Sequence, residues 1–258
     1  MNFDGKVALV TGGADGIGKA LSDVFLSKNM KGVCLVDVNE DKGQETAKAF
    51  EEKYGAGKAK FCKCDVTSSE QLEAAFKTCV DTFGRLDVAC NNAGILNEYK
   101  WKLMVSINLN AVIEGTYLAV KYMGTKNGGN GGVVVNTSSV VGLVPRQYAA
   151  VYTASKHGVV GFTRSAAFEP DVVDNGIRVV AICPMAVETE FMAIAYEQGS
   201  KYTEVYRNEM EGRVPRVKFE ELTSAVVQLI EDKDANGSIN VIVPGKGSKS
   251  IPPPNLNL

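Results

Sequence analysis

Tyr152 and Lys156 stand four residues apart, and Ser139 lies thirteen residues upstream of the tyrosine. Positions i and i+4 of a helix share a face, with Cβ atoms about 5–6 Å apart. On a helix, the Lys156 ammonium therefore applies its charge to whatever the Tyr152 phenol does. A phenol titrates near pH ~10 in isolation, and an adjacent cation favours its phenolate. Shifted towards neutrality, the hydroxyl becomes a general base. Tyr-x-x-x-Lys also occurs by chance on ordinary helices, so its meaning depends on the residues that accompany it.

A second set of residues near the start of the chain suits a nucleotide. The apolar run Lys6–Val10 reads as a buried strand and leads directly into Thr11-Gly12-Gly13-Ala14-Asp15-Gly16-Ile17-Gly18. Strand, glycine turn and helix start follow in that order. Such a turn lets the backbone approach a pyrophosphate and seats its charge on the positive end of the helix. The spacing Gly-x-x-x-Gly-x-Gly is neither Gly-x-Gly-x-x-Gly nor a Walker loop. Nineteen residues past Gly18, the run Val33–Val36 ends in Asp37, followed by Val38. A carboxylate about 20 residues after the glycine loop accepts hydrogen bonds from ribose hydroxyls, although a polar residue also commonly ends a strand. Its charge repels a 2′-phosphate. Positions 12–15 and 38–39 hold no Arg or Lys to neutralise one, so NAD is expected rather than NADP.

These motifs, in this order and spacing, resemble the short-chain dehydrogenase/reductase family along nearly the whole chain. The glycine loop matches at Gly12, Gly16 and Gly18, and the family's Asn-Asn-Ala-Gly segment matches Asn91-Asn92-Ala93-Gly94. Its catalytic tetrad matches Asn108, Ser139, Tyr152 and Lys156. Gly115–Leu118, Asn127–Gly129 and Ser155–Ser165 look most like the 15-hydroxyprostaglandin dehydrogenase and insect alcohol dehydrogenase branches.

The resemblance implies NAD-dependent oxidation of an alcohol, with hydride passing to the nicotinamide. Tyr152 would take the hydroxyl proton, Lys156 would hold the nicotinamide ribose, Ser139 would bind the substrate oxygen, and Asn108 would position a water. Cofactor contacts carried over are Gly12, Asp15, Gly16, Ile17, Gly18, Asp37, Val38, Asp65, Val66, Asn92, Ala93, Gly94, Tyr152, Lys156, Pro184, Val187 and Thr189. Substrate contacts are Ser139, Tyr148, Tyr152 and Met185. The family usually has Pro-Gly where this chain has Pro184-Met185, so the methionine would narrow the nicotinamide pocket or line the substrate site. Arg146–Ala150 lacks the paired glutamines associated with prostaglandin enzymes, which weakens the case for a prostaglandin. A homodimer, or a homotetramer, is implied. Carbonyl reduction and a catalytically silent NAD-binding scaffold or sensor stand as alternatives.

Composition agrees with this class. The 258 residues are 45% hydrophobic with a formal net charge of −2. That balance gives no electrostatic reason to expect nucleic acid or an anionic membrane as partner. The first strand starts by Lys6 and no uninterrupted apolar run nears 18 residues, so a cytoplasmic protein is expected. The six cysteines include no Cys-x-x-Cys, and with a single histidine, His157, no metal site is expected. Strand candidates at 7–11, 33–37, 60–64, 86–91, 132–138, 177–182 and 238–243 alternate with helical stretches such as Ser69 to Phe83. The expectation is α/β: a single-domain Rossmann fold over 1–258, with a doubly wound seven-stranded parallel sheet and helices on both faces. Chain ends of such strands share one edge, where ligands bind. A substrate lid at about 188–218, with apolar Phe191, Met192, Ile194, Tyr196, Val205, Tyr206 and Met210, and an irregular tail at about 247–258 complete the expectation.

Overall fold

The computed structural model describes residues 1–187, 189, 202, 204, 208 and 215–253. Seven parallel strands, β1 (Val7–Thr11), β2 (Gly32–Asp37), β3 (Ala59–Lys63), β4 (Val88–Asn91), β5 (Gly132–Thr137), β6 (Ile177–Pro184) and β7 (Ile239–Val243), are joined by β8 (Gly247–Ile251). Their order is β3-β2-β1-β4-β5-β6-β7-β8. The order reverses between β1 and β4, which opens a crevice at the chain ends of those strands.

Period-2 alternation decides which core each strand residue joins. Along β1, Ala8 and Val10 pack with Leu21 and Phe25, whereas Val7 and Leu9 pack with Leu72 and Phe76. Helices α1 (Gly16–Ser27) and α2 (Glu40–Tyr54) cover the first face. Helix α3 (Ser69–Phe83) covers the other, along with α4 (Trp101–Val105), a π-helical turn at Ser106–Asn110, α5 (Ala111–Met123), α6 (Ala150–Ala166) and the short α7 (Pro170–Val173). Helix α8 (Phe219–Glu231) returns to the first face, where Leu222, Val226 and Ile230 are fully buried. Polar side chains start the first three helices. Asn39 Oδ1 accepts from Lys42 N at the start of α2, and Ser68 Oγ from Gln71 N at the start of α3. Gly84, left-handed at φ 78°, ends α3.

At the opposite edge of the sheet from the crevice, Asp87 is 1% exposed. Its carboxylate accepts from Val7 N (3.0 Å), Arg85 Nε (2.7 Å) and Arg85 Nη2 (2.5 Å), and Lys6 Nζ lies 3.3 Å away. This cluster pins the starts of β1 and β4 together.

Two expectations are corrected. The sheet has eight strands, because β8 pairs antiparallel with β7 from Ile239↔Ile251 to Val243↔Gly247. Residues 247–251 are thus not irregular: an unpaired β7 edge would leave backbone donors and acceptors open, and the turn through Gly245 (φ 67°) returns the chain along it. Pro252 and Pro253 follow the strand, and 254–258 lie outside the described residues. The helical run Trp101–Met123 is interrupted by its π turn, and by length and composition it could cross a bilayer. Met104, Asn108, Val112, Ala119 and Met123 of that run are instead buried in the protein. Phe191, Met192, Ile194, Tyr196, Val205, Tyr206 and Met210 lie outside the described residues.

Candidate active site

The crevice is a cavity of about 300 Å³ lined at one end by Gly12, Asp15, Gly16, Ile17 and Asp37, and at the other by Ser139, Tyr152 and Met185. Gly12 and Gly16 have φ of 65° and 54°, a region that glycine adopts without strain. Gly18 serves packing: a Cβ there would collide with the Gly12 carbonyl. Asp15 Oδ1 accepts from Gly16 N (2.7 Å) and caps α1, and Lys42 Nζ lies 3.0 Å from its Oδ2. Asp37 Oδ2 accepts from Ala14 N and Oδ1 from Asn39 N, which fixes the carboxylate at the end of β2 and leaves each oxygen a further lone pair.

The Asn91–Gly94 segment is sewn to its neighbours. Thr11 Oγ1 accepts from both Asn92 N and Ala93 N, and Asn92 Nδ2 donates to Thr11 O. Asn91, fully inside the protein, donates to Asn136 Oδ1, Thr116 Oγ1 and Val112 O and serves the core. Gly94 leaves the space between Asn108 and Lys156, since a Cβ there would stand 3.3 Å from Asn108 Oδ1 and 3.7 Å from Lys156 Nζ.

Lys156 is 3% exposed, and its Nζ donates to the Thr137 carbonyl (2.8 Å) at the end of β5. Burial lowers its pKa to about 8. The ammonium sits 5.8 Å from the centre of the Tyr152 ring. Ser139 starts a short 3₁₀ turn, Val140–Gly142, and its Oγ accepts from Val141 N. Asn108 belongs to the π turn: its Oδ1 accepts from Ile95 N (2.9 Å), and its Nδ2 donates to Ile95 O (2.8 Å) and Ser155 Oγ (3.4 Å). It touches α6 between Tyr152 and Lys156.

Of the residues named from sequence, the cavity gathers Gly12, Asp15, Gly16, Ile17, Asp37, Asn92, Ala93, Gly94, Ser139, Tyr152, Lys156, Pro184, Met185, Val187 and Thr189. It does not gather Gly18, Val38, Asp65, Val66, Asn108 or Tyr148. Val38 points to solvent, 65% exposed, and Val66 is buried in the core. Asp65 Oδ1 accepts from Thr67 N and Thr67 Oγ1, so it shapes the turn before α3. Tyr148 is held at φ 67° with its ring 5.1 Å from that of Tyr202. Sequence reasoning passed over Leu96, Thr137, Val140 and Val141, which also line the cavity. Leu96 lies two residues past the Asn-Asn-Ala-Gly segment and Thr137 is the last residue of β5, which was the available signal.

The crevice suits a dinucleotide: glycine turns under a helix start, a fixed carboxylate at the β2 end, and a buried ammonium at the far end. His157 is exposed and its Nδ1 lies 3.0 Å from Thr153 O. Among the described residues no group of three or more His, Cys, Asp or Glu side chains is placed to hold a metal. Burial raises the Cys64, Cys90 and Cys183 thiols, to about 12 for the first two and about 11 for Cys183. They are poor nucleophiles at neutral pH.

Residues 6–199 match the family model described as short chain dehydrogenase. The human "15-hydroxyprostaglandin dehydrogenase [NAD(+)]" is 42% identical over 251 residues, 96% of this chain and 94% of that protein. "3beta-hydroxysteroid dehydrogenase 2" of Eggerthella lenta is 35% identical over 243 residues, 89% of each chain. The crystal structure of levodione reductase superposes with a TM-score of 0.80 at 30% identity, covering 95% of this chain and 98% of that one.

Proposed function

Because the chain belongs to the short chain dehydrogenase family, we propose that it oxidises an apolar, lipid-like secondary alcohol to the carbonyl, using NAD⁺ and Tyr152 as general base. The observation that carries this reading is the meeting, in one crevice, of Tyr152, Ser139 and the buried Lys156 at one end with Asp37 and the glycine turn at the other.

Gly12, Gly16 and the start of α1 would hold the pyrophosphate, and Asp37 the adenosine ribose. When bound, NAD⁺ supplies the acceptor for the hydride leaving the carbinol carbon. Ser139 Oγ–H donates a hydrogen bond to the substrate oxygen and fixes it beside Tyr152. The Tyr152 phenolate takes the hydroxyl proton. Lys156 lowers the cost of that phenolate with a charge that burial leaves poorly screened. Its Thr137 bond keeps the ammonium from turning away. Leu96, Val140, Val141 and Met185 give the substrate end an apolar wall, which favours a hydrocarbon chain over a small polar alcohol.

The same reading has the protein act as a cytoplasmic homodimer. Tyr117 and Phe168 expose 46% and 53% of their surfaces beside α5 and α6, an apolar area suited to a second copy. Size-exclusion chromatography with light scattering tests that part.

The activity test is formation of reduced nicotinamide with NAD⁺ and NADP⁺ in parallel, across short secondary alcohols, farnesol-like alcohols and hydroxylated fatty acids, and in the reverse direction with the carbonyls. Turnover with NAD⁺ that increases with chain length supports the reading. Turnover confined to small polar alcohols, or to NADP⁺, contradicts it.

A further inference from the structure

We propose that Glu98 is a positioning residue that holds Tyr152 in register with Lys156 by capping α6 from a segment more than fifty residues away. The proposal rests on the dehydrogenase reading for its effect on turnover, and on the geometry alone for its effect on the helix.

The first turn of a helix leaves backbone N–H groups without intrahelical partners. A side chain at the preceding position usually accepts from one of them. Before α6 that position is Ala149, which has no acceptor, and no side chain next to the helix caps it. Glu98 fills the gap: Oε1 accepts from Tyr152 N (2.9 Å) and Oε2 from Val151 N (3.1 Å). One of these two donors belongs to the residue that carries the phenol. A carboxylate at this end also meets the positive pole of the helix, and hydrogen bonds to an ionised acceptor are about twice as strong as neutral ones.

The segment bearing Glu98 is itself fixed on both sides. Asn108 holds both the N–H and the carbonyl of Ile95. Asn97 Oδ1 accepts from Tyr99 N and Lys100 N and closes the turn on the other side of Glu98. The Asn108 amide reaches Ser155 on α6 as well. The π turn, the Ile95–Lys100 segment and the first turn of α6 therefore form one frame.

Lys156 is held independently by burial and by Thr137 O. Tyr152 is the third residue of α6, where a helix frays first. Loss of Glu98 thus moves the phenol relative to an ammonium that stays in place.

The test compares Glu98→Ala and Glu98→Gln with wild type by steady-state kinetics, NAD⁺ binding and backbone hydrogen exchange. Gln keeps one acceptor oxygen and presents an NH₂ group to the second N–H. The expected result is a fall in kcat of about tenfold or more for Ala, the equivalent of losing one hydrogen bond to a charged acceptor at the low end of its range, with Gln between Ala and wild type. NAD⁺ affinity is expected to change by less than about threefold, well under the tenfold that marks 1.4 kcal/mol. Faster exchange is expected at Val151 and Tyr152, but not in the strands. Wild-type kcat and unchanged exchange in Glu98→Ala overturn the proposal. So does a parallel loss of kcat, NAD⁺ affinity and strand protection, which marks general unfolding. If wild type turns over no alcohol, the dehydrogenase reading fails while the exchange comparison still decides whether Glu98 holds the helix.

Discussion

Replacing Lys156 with methionine removes a fully buried ammonium and leaves a side chain of similar length. Burial lowers the Lys156 pKa from 10.5 to about 8. One pKa unit is about 1.4 kcal/mol, so that shift amounts to about 3 kcal/mol by which the folded state disfavours the charged amine. Between pH 8 and 10.5 the unfolded chain binds more protons at this site than the folded one. Stability therefore rises with pH across that window, and below it the folded protein carries the whole penalty. Methionine has no proton to gain, so the variant lacks this rise. It also strands the Thr137 carbonyl, at a cost of about 1–3 kcal/mol, but that cost does not vary with pH. The assay is urea unfolding of both proteins without cofactor at several pH values across the window. Wild type is expected to gain about 3 kcal/mol on the variant from the low to the high end, or roughly 6–12 °C in Tm for a chain of this size. Parallel curves would refute the reasoning, since Lys156 would then titrate alike in the folded and unfolded states. Activity at neutral pH is expected to be lost in the variant even where its stability matches wild type.

Asp37→Ser removes the charge that opposes a 2′-phosphate and is expected to raise the NADP⁺-to-NAD⁺ ratio of kcat/KM by at least about tenfold, read from parallel kinetics with both cofactors. Asp87→Asn breaks the cluster with Arg85 and Lys6 and is expected to cost about 3 kcal/mol in urea unfolding. This is the lower end for a broken buried pair, because both cations are 28% exposed. Gly18→Ala drives a methyl into the Gly12 carbonyl; overpacking of about 1–3 kcal/mol is expected to weaken NAD⁺ binding by about tenfold or more in a calorimetric titration.

The parts of this protein that were legible in sequence are those whose cause is local. The Lys6–Val10 run, the glycine turn and Asp37 lie within one βαβ unit, and their spacing carries both the fold and the cofactor expectation. Tyr152 and Lys156 were readable because one helical turn decides their relation. What stayed hidden depends on distant partners. Strand β8 forms because β7 would otherwise be an open edge, and the prolines at 252–254 obscured the five residues before them. The π turn at Ser106–Asn110 adds one residue to a helical turn without breaking the apolar pattern of Trp101–Met123, so periodicity runs straight through it. Val66 and Asp65 follow β3, where the resemblance implies a cofactor contact, and nothing local signalled that Val66 also packs in the core and Asp65 also holds the turn into α3. Glu98 carries no signal at all, because its partners at Val151 and Tyr152 lie over fifty residues away and are backbone N–H groups that any sequence would supply.

The most direct test of the central claim is Tyr152→Phe, with NAD⁺ binding and alcohol turnover measured on the same preparation. The phenolic hydroxyl is the only group removed, so NAD⁺ is expected to bind with unchanged affinity while turnover falls by about 10²–10⁴-fold, the usual contribution of a general base. A Phe variant that binds NAD⁺ and oxidises the alcohol at the wild-type rate would contradict the account, because the proton would then leave by a route that does not use the phenol beside Lys156.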